Sequence, residues 1–191
     1  PGDALAVQLR MNGDYYAPDP SGNPFPMPVL YEDDYCAIVN KPSGYSTIST
    51  LRGGHGKHAI RSALMSVLGP PCPGTPDVLP CPQPVHRLDR PTSGLLAVGK
   101  TRPAVVALSR AFAKRCVHKT YQAIVFGARF ESWVGTGTDE EWYTIDQPLN
   151  NKPARTRWRV LRAGKSRRAR ALAWLELRPE TGRFHQLRLH L

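Results

Sequence analysis

The chain has 191 residues, of which 41% are hydrophobic, so it can bury a substantial core and is not expected to be disordered. No stretch approaches the roughly 18 consecutive apolar residues of a membrane span, so no membrane association is expected. The formal net charge is +11, from 26 Lys and Arg against 15 Asp and Glu, which favours a polyanionic partner such as RNA or DNA.

The four cysteines indicate a reducing, intracellular compartment. Cys36 and Cys116 lie in apolar sequence and are expected to be small core residues. Cys72 and Cys81 flank a proline-rich stretch at a spacing that zinc sites do not usually have. A disulfide between these two stays open, but nothing else suggests a secreted disulfide framework, and no metal site is expected.

The N-terminal part divides into an arm and the start of a domain. Residues 1–30 are expected to be an arm or linker, because Pro18–Pro28 is rich in Pro, Gly and Ser. Tyr35–Val39 predicts a short buried strand that runs into a turn at Lys41–Gly44. Apolar spacing predicts a helix over Lys57–Leu68, which the following Gly and Pro end.

The middle of the chain predicts a loop, a strand and a helix. Gly69–Pro84 contains seven prolines and is expected to be a stiff loop. Gly94–Lys100 predicts a second buried strand. Thr101 is placed to cap the next helix, with Pro103 in its first turn. The side chains expected to face inward on this helix are Ala104, Leu108 and Phe112.

The last third alternates strands with a basic segment. Strands are expected over Lys119–Phe126 and Ala171–Arg178, with a loop or hairpin at 127–148 and a helix at Phe184–Leu191. The short interleaved elements predict an α+β fold, with a mixed, largely antiparallel central sheet flanked by helices.

Three alternating arginines favour an RNA-contacting strand. Arg155, Arg157 and Arg159 would lie on one face of a strand, opposite the packing residues Thr156, Trp158 and Val160. Eight Lys or Arg and no acid occur between Arg155 and Arg170. A solvated hairpin is the alternative, but the absence of balancing carboxylates favours contact with phosphates.

The segment from Pro84 to Gly94 gathers one His, two Arg, one Asp and two hydroxyls just before an apolar strand. Asp89 among these cations would stay ionised, as a nucleophile or a transition-state stabiliser must. Alternatively, Asp89 caps its own turn with Thr92 and Ser93. Chemistry alone favours this second interpretation.

Four ordered motifs change that balance. The segment His86–Leu96 resembles the HRLDxxTSGLL signature of the RluA-like family of RNA pseudouridine synthases. Three further segments resemble this family's motifs in the expected order: Tyr31–Gly44, Lys119–Gly127 and Thr181–His190. The resemblance covers 31–191, which is identified as a pseudouridine synthase catalytic domain. Members of the family usually continue beyond the position of Leu191, so the domain is expected to be incomplete at its C-terminal end.

The resemblance implies a catalytic carboxylate with two companions. It makes Asp89 the essential residue, acting either on C1′ of the target ribose or by assisting proton removal from the sugar. Tyr121 would pack against the target base and handle a proton at C5. Arg188 would be a buried cation beside Asp89 that keeps the carboxylate ionised. No second carboxylate, metal or other cofactor is implied, because no water is activated.

The resemblance also implies contacts with RNA. Arg87 would help to fill the gap that a flipped-out base leaves, since uridine must leave its stack for C1′ to be reached. Lys41, Arg183 and His185 are candidates for RNA contact or, equally, for roles in turns and helix caps. The expected partner is RNA with a single-stranded or flipped-out uridine, and the chain is expected to act as a monomer.

Two alternatives remain beside uridine isomerisation. A non-catalytic RNA-binding or ribosome-assembly factor on the same fold would need the basic surface but not Asp89. A nucleoside or sugar hydrolase would need a second carboxylate near Asp89, and no motif offers one.

Overall fold

The computed structural model describes residues 27–48, 59–127, 141–165 and 171–191. The described residues divide into two units, one up to Val117 and one from His118 onward, which are described separately. Most of the arm expected at 1–30 lies outside the described residues. In the described ranges, no helix is both long and apolar enough to cross a membrane.

The first unit contains a four-stranded sheet. Its strands are β1 (Val29–Glu32), β2 (Cys36–Lys41), β3 (Val78–Pro84) and β4 (Gly94–Thr101), in the order β1-β2-β4-β3. Each neighbouring pair is antiparallel. The central strand β4 is largely buried and β2 alternates between buried and half-buried positions, as the apolar patterns predicted.

Two helices accompany this sheet. Helix α1 (Ile60–Val67) contributes Ile60 and Leu64 to a core with Val39, Leu96 and other apolar side chains of the strands. Helix α2 (Arg102–Ala113) begins where it was predicted to begin.

The cap of α2 is the predicted one. The Ala104 amide donates to Thr101 Oγ1 at 3.4 Å, and Pro103 lies in the first turn. The helix also approaches β4 closely at Gly99, where an added Cβ would lie 2.5 Å from Val105 Cγ2.

The prediction of a loop over Gly69–Pro84 is wrong for its second half, which forms β3. Three prolines interrupt this strand, yet it pairs with β4 at the end of the sheet. An edge strand tolerates proline because one row of its amides needs no partner within the sheet. The register of pairing with β4 shifts between Val78 and Gln83, the stretch that contains Pro80 and Pro82.

The second unit contains another antiparallel sheet. Its strands are β5 (Tyr121–Phe126), β6 (Tyr143–Asp146), β7 (Arg155–Gly164) and β8 (Leu172–Pro179), in the order β5-β8-β7-β6. The inward side chains form a core that includes Ala123, Trp158, Val160, Leu175 and Leu177. Helix α3 (Gln186–His190) follows.

The predicted α+β class with antiparallel strand pairing is confirmed, and in the described ranges the strands form two four-stranded sheets. The final helix begins at Gln186 instead of Phe184, because His185 has a left-handed backbone with φ of 53°. Cys116 is exposed, so its assignment to the core is wrong, and Cys36 is half-buried.

Candidate active site

Asp89 follows directly on a residue that is hydrogen-bonded on both sides of its backbone. The buried hydroxyl of Thr47 donates to the Leu88 carbonyl at 2.9 Å and accepts from the Leu88 amide at 3.1 Å. The Thr92 amide donates to the backbone carbonyl of Asp89 at 3.0 Å, which closes the turn on the other side. The main chain around this carboxylate is therefore fixed by bonds from both directions.

Three further bonds join the two segments just beyond Asp89. The Gly44 amide donates to the Arg90 carbonyl at 2.7 Å, and Arg90 Nε donates back to the Gly44 carbonyl at 2.9 Å. Ser43 Oγ donates to the Pro91 carbonyl at 2.8 Å. We call the paired segments Lys41–Thr47 and Leu88–Pro91 the two-loop clamp, because the bonds between them flank Asp89 on both sides.

Lys41 brings a buried cation to this clamp. Its side chain is fully buried, and Nζ donates to the carbonyls of Pro42 at 2.9 Å and Tyr45 at 2.8 Å. Burial lowers the pKa of Lys41 from 10.5 to about 8, and the opposing attraction of the Asp89 carboxylate limits that fall. Burial favours a structural and electrostatic role over the surface contact with RNA that the sequence also allowed.

The histidine of the HRLD motif anchors this segment to β4. His86 Nε2 accepts from the Ala97 amide at 3.0 Å, and the Val85 amide donates to the Ala97 carbonyl at 3.0 Å. An accepting Nε2 places the proton of a neutral ring on Nδ1. The ring also stacks on Phe112 of α2 at 4.4 Å between centroids. Sequence reasoning gave His86 no such role.

Arg87 is exposed beside Asp89, as a residue that contacts RNA must be. Tyr121 and Arg188 belong to the second unit, whereas Asp89 belongs to the first. Tyr121 opens β5, is half-buried and packs against the core of its own sheet. Arg188 lies in α3 and is exposed. Its role beside Asp89 stays a prediction. Lys41 is a fully buried cation whose charge interacts with that of Asp89.

The TGRFHQLRLH motif contains a buried polar network that the sequence did not reveal. Gln186 Nε2 donates to the Arg155 carbonyl at 2.9 Å and to Thr156 Oγ1 at 3.0 Å, while Gln186 Oε1 accepts from Thr181 Oγ1 at 2.7 Å. His190 Nδ1 lies 2.9 Å from Thr156 Oγ1. In a basic sequence, polar residues such as Gln186 and His190 are expected at the surface. Their role in attaching α3 to β7 was therefore not predicted.

The remaining predicted RNA contacts of this motif are held by local bonds. Arg183 Nε donates to the Pro153 carbonyl at 2.8 Å, and its amide donates to Gln186 Oε1 at 3.0 Å. The ring of His185 stacks on Phe184 at 3.7 Å. The two bonds of Arg183 favour the structural role that the sequence left open for it. RNA contact by Arg183 and His185 stays a prediction.

The alternating arginines occupy one face of β7, as predicted. Arg155 and Arg157 are exposed and Arg159 is half-buried, whereas Thr156, Trp158 and Val160 between them are buried. Arg155 is partly balanced by Asp146 and Glu180, at 3.8 and 3.5 Å. Within the described ranges, no three His, Cys, Asp or Glu side chains are placed to hold a metal ion.

Residues 35–191 match the family model described as RNA pseudouridylate synthase. The chain belongs to this family. It is 33% identical over 175 residues to ribosomal large subunit pseudouridine synthase C of Vibrio cholerae, which covers 85% of the chain and 48% of the relative. It is 31% identical over 195 residues to synthase D of Neisseria meningitidis serogroup B, which covers 100% of the chain and 48% of the relative. The chain thus spans about half the length of these relatives.

Solved structures agree with the fold. The human RNA pseudouridylate synthase domain containing 1 protein aligns with a TM-score of 0.61 and 24% identity, over 86% of this chain and 63% of that one. The human domain containing 4 protein aligns with a TM-score of 0.58 and 22% identity, over 85% and 62%. At this identity, the likeness shows the fold of an RNA pseudouridylate synthase domain.

Proposed function

We propose that this chain isomerises specific uridines in RNA to pseudouridine, with Asp89 as the catalytic carboxylate. The observation that carries the proposal is the two-loop clamp, which fixes the backbone on both sides of Asp89 within a family that performs this reaction. Holding the carboxylate in a fixed orientation speeds the reaction, because less entropy is lost when it approaches the ribose.

The reaction exchanges one glycosidic bond for another. The bond from N1 to C1′ breaks, the uracil turns, and a bond from C5 to C1′ forms, after which the proton on C5 leaves and N1 gains one. Asp89 serves either by attacking C1′ or by assisting removal of a sugar proton. One carboxylate suffices, because no water enters the product.

Lys41 contributes a buried positive charge to this site. Its buried ammonium is held by two carbonyls, and its charge attracts the carboxylate of Asp89. In a region of low dielectric, the attraction between a fixed cation and a carboxylate is stronger than in water and helps to hold the carboxylate in one position. We therefore propose Lys41 as a positioning residue for Asp89.

The remaining roles follow from family membership. We propose that Tyr121 packs against the target base and handles the proton at C5, and that Arg188 acts with Asp89 in catalysis. Exposed Arg87 would occupy the space of the flipped-out base. The names of the bacterial relatives support RNA of the large ribosomal subunit as the substrate, and an intracellular monomer is expected.

Tritium release tests the proposal directly. RNA transcribed with [5-³H]uridine loses tritium to water only where C5 is joined to C1′. The wild-type protein is expected to release tritium from such RNA, and Asp89→Asn is expected to abolish release while keeping the wild-type thermal unfolding curve. Asp77→Asn is the matched control, since this exposed residue has a left-handed φ of 54° that Asn adopts equally well.

The outcomes separate uridine isomerisation from the function of a non-catalytic RNA-binding or assembly factor. Release by the control but not by Asp89→Asn supports isomerisation by this carboxylate. RNA binding without tritium release by the wild-type protein would instead indicate the RNA-binding or assembly factor. Unchanged release by Asp89→Asn would refute the assignment of Asp89.

A further inference from the structure

One face of the second sheet carries three guanidinium groups around a single indole. The guanidinium carbons of Arg157, Arg159 and Arg178 lie 5.1, 5.1 and 4.3 Å from the ring centre of Trp142. Strand alternation puts all three arginines on the face opposite the core. We call these four residues with Glu176 the arginine–tryptophan platform.

Glu176 fixes two of the three cations. Arg159 donates to Glu176 Oε2 through Nε and Nη2 at 2.9 and 2.7 Å, and Arg178 donates to Oε1 at 3.1 and 2.8 Å. The Glu176 side chain is only 9% exposed. Burial acts to raise the pKa of Glu176, but the two guanidiniums outweigh it and lower that pKa. The two arginine planes are therefore held in place before any ligand arrives.

Among its own members, the platform has more positive than negative charge. It contains three arginines and one carboxylate, and Arg157 stands directly across from Arg178 in the paired strands. Like charges at directly opposed positions of an antiparallel pair destabilise a sheet. An anion placed over this pair would relieve the repulsion, so the arrangement suits a ligand that brings phosphate groups.

The flat groups of the platform narrow the choice of ligand. Indole and guanidinium planes are the surfaces on which unpaired nucleobases stack, whereas an acidic peptide needs only the charges. We infer that the platform binds single-stranded RNA, taking an unpaired base against Trp142 and its arginines and the neighbouring phosphates at Arg157 and Arg178. This inference rests on the proposed function in taking RNA as the ligand, and it adds a contact surface on a sheet that does not contain Asp89.

Binding without turnover tests the platform. The fluorescence anisotropy of a labelled single-stranded RNA of about a dozen nucleotides reports Kd for the full chain. Trp142→Ala is expected to weaken binding about tenfold, in line with the loss of one stacked base. Trp174→Ala is the matched control, because Trp174 is an exposed tryptophan on the same face of the same sheet, and its Kd should stay at the wild-type value.

If Trp142→Ala does not fold, a variant that removes one positive charge from the platform still tests RNA binding there. Arg157→Gln is expected to weaken binding and to reduce the slope of log Kd against log salt by about 0.7, the value for one single-strand phosphate contact. Arg61→Gln removes the same charge from the exposed side of α1 in the other unit and should leave this slope unchanged.

Three results would overturn the platform: equal losses for Trp142→Ala and Trp174→Ala, equal losses for Arg157→Gln and Arg61→Gln, or equal affinity for a polyglutamate peptide. Selective losses support it whether or not the wild-type protein releases tritium. A failure of the proposed function is therefore distinguishable from a failure of this inference.

Discussion

Thr47 and Leu88 are joined twice through one hydroxyl group, although 41 residues separate them in the chain. Thr47 Oγ1 donates to the Leu88 carbonyl and accepts from the Leu88 amide, and its side chain is buried. One side chain thus satisfies both backbone groups of the residue before Asp89. This arrangement makes the position of the carboxylate depend on a residue outside the HRLD motif.

Thr47→Val is expected to lower the free energy of unfolding by about 1–3 kcal/mol, because the isosteric side chain leaves buried backbone groups of Leu88 without their partner. Tritium release should show a fall in kcat with little change in KM, since RNA binding does not require the hydroxyl. Thr47→Ser retains the hydroxyl and should behave as the wild-type protein in urea titrations and kinetics. Equal kcat in the Val and Ser variants would contradict the role given to the clamp.

Lys41 predicts a pH dependence of stability. Its pKa is about 8 in the folded chain and 10.5 ordinarily, so between these values the unfolded chain binds more protons. The free energy of unfolding therefore rises with pH from about 8 to 10.5, as the cost of the buried ammonium disappears. Lys41→Met lacks the group and should lack this rise, which amounts to about 3 kcal/mol across the window.

The measurement is a series of urea titrations at pH 7.5 to 10.5 on the wild-type protein and two variants. Lys152→Met, at an exposed position in the turn before β7, is the control and should keep the wild-type rise. Parallel curves for the wild-type protein and Lys41→Met would show that the ammonium of Lys41 is not buried in solution.

Glu176 predicts a pH dependence of stability in the acid range. Because its pKa is lowered from 4.5, the carboxylate stabilises the folded chain at pH values above 4.5, and this contribution is lost as pH falls through the folded pKa. Glu176→Gln should lower the free energy of unfolding at pH 7 by about 1–3 kcal/mol, since its charged hydrogen bonds to two arginines are lost. Thermal unfolding of the variant and the wild-type protein should converge in acid.

Glu180→Gln provides the comparison for that variant. The Glu180 side chain is 42% exposed and lies 3.5 Å from Arg155, so its removal should change stability by less than about 1 kcal/mol. Equal losses in the two variants would mean that Glu176 is no better shielded than a surface residue.

The sequence predicted elements well where apolar side chains follow one period. Strands β2, β4 and β7 and the capped start of α2 were all recognisable in this way. Strand β3 was missed because its three prolines dominate the local signal, and only its position at the sheet edge explains how they are accommodated. The division into two sheets depends on strand pairing between distant residues, which an apolar pattern does not encode.

For the candidate site, the sequence indicated the motif residues but not the buried polar contacts around them. Asp89 was singled out through the resemblance of its motif, and the roles of Asp89 and Arg188 stay predictions. The burial of Lys41 was not predicted. A lysine beside Pro42 in a turn suggests a surface position, and only the folded turn shows two carbonyls converging on its ammonium. Likewise, Gln186 and His190 became recognisable as network residues only once Thr156 was beside them.

The contact between Gly99 and α2 gives the last prediction. A Cβ at Gly99 would lie 2.5 Å from Val105 Cγ2 and 3.0 Å from the Val105 amide nitrogen, and the backbone of the helix cannot move aside as a flexible side chain could. Gly99→Ala is therefore expected to lower the free energy of unfolding by about 1–3 kcal/mol, the usual cost of overpacking.

Gly164→Ala is the matched control, since in the described part of the chain no heavy atom beyond its two sequence neighbours lies within 4 Å of the added Cβ at the end of β7. This variant should unfold at the wild-type urea midpoint or be stabilised by up to about 1 kcal/mol, because alanine loses less backbone entropy than glycine on folding. Because α2 also carries Phe112, on which His86 stacks, Gly99→Ala should in addition slow tritium release. Equal stability of the two alanine variants would mean that α2 does not approach β4 as closely as the structure shows.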